Sequence, residues 1–180
     1  MIVASVSRAM FSYLTTRDQN LMRRLNGWRP PRWVRVWMVL ASRLGDGWLW
    51  WVIGIILLLF GGPVRFRALG AALISAALAV GLFLRIKKLF NRTRPCANCW
   101  ATLLPPDQFS FPSGHSMTAF AVAVPLSMFY PALEPGLLFC AFSIAVSRIL
   151  LGLHFLSDVL AGSALGAAIG YTIYTLSGAG

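Results

Sequence analysis

"ALGAALISAALAVGLFL", residues 68–84, contains no Asp, Glu, Lys or Arg. At about 1.5 Å per helical residue, a hydrocarbon core of roughly 30 Å takes a run of about 17 to 25 residues, and this stretch meets that length. Arg85, Lys87 and Lys88 follow at once, as expected where a helix leaves lipid. Working outward, windows 47–64, 116–133 and 159–180 are equally free of charge. A fifth, from Pro135 to Ser147, is shorter and continues past Arg148. None alternates with period two, so helices rather than a closed barrel must satisfy the backbone in lipid. The expected fold is an all-α integral membrane protein, a bundle of about five transmembrane helices crossing near 47–64, 68–84, 116–133, 136–153 and 159–177.

Composition supports that class. Of the 180 residues, 58% are apolar and 12% charged, about half the charged share of a soluble domain. The first 45 residues differ, being rich in Arg and Trp with no long uncharged window. Pro30 and Pro31 divide them, so a helix should end before the pair and restart after it. Trp33, Val34, Trp37, Met38 and Leu40 form an apolar stripe beside Arg32, Arg35 and Arg43, suiting a helix in the headgroup layer. Two units are therefore expected: a basic amphipathic interfacial segment, 1–45, and a transmembrane core, 46–180. Arg8 interrupts the N-terminal apolar stretch, which argues against a cleaved secretory signal.

A net charge of +11 raises the question of nucleic acid. The basic residues flank apolar windows, however, and Trp and Arg at such boundaries anchor proteins to membrane interfaces. A lipid bilayer, not nucleic acid, is the expected partner. Gly162, Gly166 and Gly170 recur every four residues, placing small residues on one helix face for close packing.

Against this background the ionisable residues are few: two histidines, and carboxylates at Asp18, Asp46, Asp107, Glu134 and Asp158. Ionisable groups near membrane depth are costly and mark functional candidates. "KKLFNRTRP", residues 87–95, can anchor a helix end or supply cations, Lys87 and Arg94 among them, to an anion. "FSFPSGHSMTAF", residues 109–120, puts Ser113 at an N-cap position ahead of Gly114 and His115. The open N–H groups of a helix N-terminus can seat a phosphate beside that histidine; a plain cap followed by a surface histidine is the alternative. "SRILLGLHFLSD", residues 147–158, holds Arg148, His154 and Asp158. Spacing of i, i+4 in a helix would let Asp158 fix the His154 tautomer and leave one nitrogen free to attack. The other reading is a buried Arg148–Asp158 ion pair, which leaves His154 without a role.

Together these stretches resemble the type 2 phosphatidic acid phosphatase superfamily, whose signatures KxxxxxxRP, PSGH and SRxxxxxHxxxD match Lys87–Pro95, Pro112–His115 and Ser147–Asp158 in order and spacing. The resemblance implies a membrane lipid phosphatase that uses no metal and no cofactor. It further implies His154 as the nucleophile forming a phosphohistidine, Asp158 as its orienting carboxylate, and His115 as the acid and then the base. Lys87, Arg94, Ser113, Gly114 and Arg148 would hold the phosphoryl oxygens. The expected substrate is a lipid phosphate or pyrophosphate: phosphatidic acid, phosphatidylglycerol phosphate, undecaprenyl pyrophosphate or a relative. The rival is a non-catalytic membrane protein that binds or transports phosphorylated lipids or solutes, which would need the basic cluster but not both histidines and Asp158.

With five crossings all three signatures share one face, along with most of the cations. Positive-inside bias would turn that face to the cytoplasm, whereas the resemblance favours the extracytoplasmic side of the cell membrane, which is the expectation adopted. A sixth crossing before residue 45 would reconcile the two. Cys96 and Cys99 are either unpaired thiols or a local disulfide.

Overall fold

The computed structural model describes residues 15–25, 27–90, 92–95 and 109–179; Arg8, Cys96 and Cys99 lie outside them. A helix over 15–25, α1, precedes α2 (Arg32–Leu44), α3 (Trp48–Phe60), α4 (Arg65–Leu89), α5 (Gly114–Phe129), α6 (Glu134–Leu150) and α7 (Leu156–Tyr174). Among the described residues the only β pairing is one bridge between Thr93 and Phe109. Pro31 stands at the N-cap of α2, so the Pro30–Pro31 pair does separate two helices.

Each of the five expected spans carries a helix. Among the described residues, three helical segments are long and apolar enough to cross a membrane, Arg65–Leu89, Pro131–Leu150 and Leu156–Gly178, or four if α2 and α3 form one bent span. The helix in window 116–133 stops at Phe129, because Tyr130 leaves helical geometry and Pro131 opens a short 3-10 turn. The helix in window 47–64 has only 13 residues. It joins α2 at a bend of 66°, made by Gly45, Asp46 and Gly47. Gly47 has φ +116, and a Cβ on Gly45 would lie 2.8 Å from Ile144 Cγ2, so both flanks of the turn exclude larger residues.

The core sits around α5, which packs against α4, α6 and α7. Ser116, Met117, Ala119, Phe120, Ala121, Val122 and Ala123 are all buried, as expected of a helix apolar on every side. Its seam with α7 is set by the glycines read from the sequence. A Cβ on Gly162 would lie 2.6 Å from the Ser113 carbonyl oxygen and one on Gly170 2.7 Å from Pro125 Cδ; Gly166 faces the Met117 carbonyl oxygen. Two backbones therefore touch along this face, and α5 and α7 hold their N-terminal ends side by side.

The apolar residues of α2 divide between two faces rather than forming one stripe. Met38, Ala41 and Ser42 are buried against the core, with Met38 packed beside Leu151 and Leu153. Trp33, Val36, Trp37 and Leu40 stay exposed, a surface suited to lipid headgroups.

Candidate active site

The three sequence stretches meet at the end of the bundle where α5 and α7 begin. The Ser113 N–H donates to the Asp158 carbonyl (3.0 Å), and the Ser110 N–H to the Arg92 carbonyl (2.7 Å). Arg94 Nη1 reaches the Leu153 carbonyl at 3.5 Å. Lys87 Nζ lies 4.9 Å from the Phe83 ring centre, and the same ring packs against Gly114, where a Cβ would be 3.0 Å away. Arg94 and Arg148 act electrostatically on both His115 and His154, so the basic residues and the two imidazoles share one neighbourhood.

His154 stands in the turn between α6 and α7. Gly152 adopts φ +70, and the Leu153 and His154 N–H groups both donate to the Arg148 carbonyl (2.9 and 3.1 Å). Because α7 starts only at Leu156, His154 and Asp158 meet across a turn and not along one helix. His154 Nδ1 donates to the Ser110 carbonyl at 2.6 Å, while Asp158 Oδ2 is 3.9 Å away. A carbonyl only accepts, so Nδ1 carries the proton and Nε2 the lone pair. The residue is 3% exposed. Burial, opposed by Asp158 and reinforced by Arg148 and Arg94, pushes the imidazole from 6.5 down to about 4, so it is neutral near pH 7.

Asp158 is fully buried and works as a junction. Oδ2 accepts from the Phe155 N–H at 2.9 Å, capping α7. Oδ1 accepts from Arg92 Nη1 at 2.6 Å. Arg92 Nη2 donates to Asp18 Oδ2 at 2.8 Å, and its guanidinium stacks 4.1 Å from the Phe155 ring centre. Asp18, on α1, also accepts from the Ser157 hydroxyl and, at 3.3 Å, from the Ser157 N–H. The Arg148–Asp158 ion pair considered from the sequence is not what forms: Asp158 pairs with Arg92.

Arg148 is 3% exposed. Its Nη1 donates to Ser42 Oγ at 2.5 Å, and its Nε–H is buried without an acceptor among the described residues. A buried guanidinium held by one hydroxyl is a costly arrangement unless an anion completes it. Ser113 occupies the N-cap position of α5 but makes no side-chain cap; its hydroxyl pairs with Ser116 Oγ at 2.9 Å. The first-turn N–H groups of α5 are therefore not taken by the Ser113 side chain. Among the described residues, no three His, Cys, Asp or Glu side chains gather to hold a metal ion.

His115 differs from His154 in its partner. Its Nε2 lies 2.6 Å from Asp46 Oδ1, with the two side chains 29% and 39% exposed. Asp46 and Thr118, one turn below His115, also line an apolar cavity of about 680 Å³. The cavity runs between α3, α4 and α5, past Trp50, Leu69 and Val122, a volume within the roughly 300–1,000 Å³ of small-molecule sites.

Sequence reading counted Asp18 and Asp46 among the costly carboxylates without giving them a role, and gave none to Ser42, Arg92 or Ser110. Their partners lie 139, 69, 106, 66 and 44 residues away, beyond any local spacing rule. Asp46 alone carried a local sign, a carboxylate between two glycines at the mouth of an uncharged window.

A family model described as the PAP2 superfamily matches residues 66–179. Decaprenylphosphoryl-5-phosphoribose phosphatase of Mycobacterium tuberculosis is 34% identical over 138 residues, covering 76% of this chain and 77% of that protein. The crystal structure of Aquifex aeolicus LpxE superposes with a TM-score of 0.73 at 29% identity, over 87% of this chain and 93% of the other. A transmembrane PAP2-type phosphatidylglycerolphosphate phosphatase from Bacillus subtilis superposes equally well, TM-score 0.73, at 24% identity over 92% and 87%, sharing the fold.

Proposed function

This chain belongs to the PAP2 superfamily and is a multi-pass membrane lipid phosphatase, and from that premise we propose how its residues act. His154 Nε2 attacks phosphorus and forms a phosphohistidine, and His115 gives a proton to the departing lipid oxygen. His115 then takes a proton from the water that releases phosphate. Lys87, Arg94 and Arg148, with Ser113 and the backbone at Gly114, hold the phosphoryl oxygens. Asp158 serves chiefly by fixing α7 and Arg92 behind the nucleophile, while the Ser110 carbonyl sets the tautomer. Phosphoryl transfer is mainly a matter of positioning and charge neutralisation. Cations and helix N–H groups are donors for an anion, so the mechanism has no step for a metal.

One observation carries this reading. A buried, neutral imidazole with its Nδ1–H engaged stands in the same neighbourhood as a buried guanidinium whose Nε–H has no acceptor among the described residues.

The substrate is a phosphate or pyrophosphate on a long apolar chain, with the chain in the cavity between α3, α4 and α5. Similarity to the mycobacterial protein supports a polyprenyl-carried phosphate, ahead of phosphatidic acid and phosphatidylglycerol phosphate. We also propose the interfacial segment 1–45 and the core 46–180 as the two units of the chain. The active-site end faces the extracytoplasmic side of the cell membrane. Lys87, Arg94 and Arg148 are accounted for by phosphate binding, so they speak less for a cytoplasmic face than a count of cations suggests. Phosphate release from a panel of these lipids in detergent, by wild type and His154→Ala, tests the activity. Turnover by wild type alone is expected, and equal turnover by both defeats the nucleophile.

A further inference from the structure

Asp46 acts as an opposite charge on the buried Arg148 guanidinium as well as meeting His115. It does not cap α3, whose N-cap is Gly47 without a side-chain bond, and its contact with His115 is too exposed to be a large stabilising pair. Yet the Gly45–Asp46–Gly47 turn is specified closely, by the approach of Gly45 to Ile144 and the positive φ of Gly47. The product of that turn is one carboxylate oxygen 2.6 Å from His115 Nε2.

We infer that Asp46 is the positioning residue for His115, holding Nε2–H so that the proton exchanged with the substrate travels on Nδ1. This rests on the lipid phosphatase reading and adds to it a carboxylate from the α2–α3 turn, outside all three signatures. A carboxylate only accepts, so the bond fixes Nε2 as a donor and leaves Nδ1 as the exchanging atom. As the His154–phosphorus bond forms and the phosphorus–lipid oxygen bond breaks, the Nδ1 proton passes to that oxygen. The ring is then neutral, with its remaining proton on Nε2 against Asp46. When water attacks phosphorus and the His154–phosphorus bond breaks, the water proton returns to Nδ1. A carboxylate on the distant nitrogen supports the cationic ring before the first transfer and after the second, as the Asp of a Ser–His–Asp triad stabilises its imidazolium. Burial, with Arg148 of α6 and Arg94 of the segment after α4, holds this ring below the usual imidazole range, and Asp46 is the one charge among the described residues that opposes them; a phosphate bound by those two cations offsets them in the complex.

The test compares leaving groups. An alkoxide leaving a lipid phosphate needs a proton, whereas nitrophenolate leaving 4-nitrophenyl phosphate does not. Leaving-group release in the first turnover is measured for wild type and Asp46→Asn on both substrates. The expected result is a loss of about tenfold or more on the lipid phosphate, in line with the contribution of general acids, and little loss on the aryl phosphate. Asp46→Glu should recover part of the lipid activity. Equal losses on both substrates, or none on the lipid, overturn the inference. If Asp46→Asn does not purify as a single species, Asp46→Ser takes the same two assays with the same expected result. A wild-type protein inactive on both substrates counts instead against the phosphatase reading.

Discussion

The two histidines occupy contrasting surroundings. His154 is 3% exposed, and its ring hydrogen bond goes to a backbone carbonyl. His115 is partly open, and its bond goes to a carboxylate. A carbonyl fixes a tautomer without adding charge, which suits a nucleophile that must stay neutral. A carboxylate supports a proton coming and going, which suits an acid and base. The same side chain is thus prepared for two tasks by the charge of its partner.

The contrast is broken most severely by removing each ring. His154→Ala should lower turnover by about 10³-fold or more on every substrate, since no covalent step remains. His115→Ala should slow first-turnover release of the leaving group roughly 10²–10⁴-fold on lipid phosphates and much less on an aryl phosphate. Kinetics on both substrates distinguish them, and equal selectivity in the two variants would abolish the contrast.

Next in size is the support behind His154. Arg92→Met leaves the Asp158 and Asp18 carboxylates without their shared cation, and breaking a buried pair in this way typically costs about 3–5 kcal/mol. Denaturant or thermal unfolding in detergent measures it. Activity should fall too, because the Asp158 junction starts α7.

The pH response follows from burial. His154 titrates at about 4 in the folded protein against 6.5 ordinarily. As pH falls from about 6.5 to about 4, the unfolded chain takes up the proton first, so the fold loses stability through that window. The acid limb of kcat/KM contributed by this ring should lie near pH 4, and a limb near 6.5 would mean an imidazole open to water.

The smallest effects concern the seam that keeps the two surroundings in register. Gly162→Ala forces a methyl against the Ser113 carbonyl and should cost about 1–3 kcal/mol of stability, as overpacking does. Gly136→Ala, inside α6 where nothing lies within 4 Å, should instead stabilise by about 0.5–1 kcal/mol, as replacing a helical glycine does. Paired melting curves check both.

What could be read beforehand was whatever one segment decides alone. Uncharged windows located the five helices, and the four-residue glycine repeat located the packing face of α7 though not its partner, since both depend on local periodicity. Helix ends were less legible: Tyr130–Pro131 closes α5 inside a window that composition treats as continuous. His154 and Asp158 do come together, Nδ1 3.9 Å from Oδ2, but around a turn at Gly152 and not along one helix, which the spacing alone did not show. The partners of Asp18, Ser42 and Asp46 come from tertiary packing of α1, α2 and the α2–α3 turn onto the core. A sequence shows that such polar residues exist without showing which group they will meet.

The cavity below Asp46 has lipid-facing walls, since Ile55, Leu58, Phe66 and Leu73 line it and are themselves exposed. An occupant therefore arrives sideways, from within the leaflet, and its supply is two-dimensional. For this protein in vesicles, turnover should follow the mole fraction of substrate in the sheet. Adding inert lipid will slow it, while diluting the whole suspension in buffer will leave the rate per molecule unchanged.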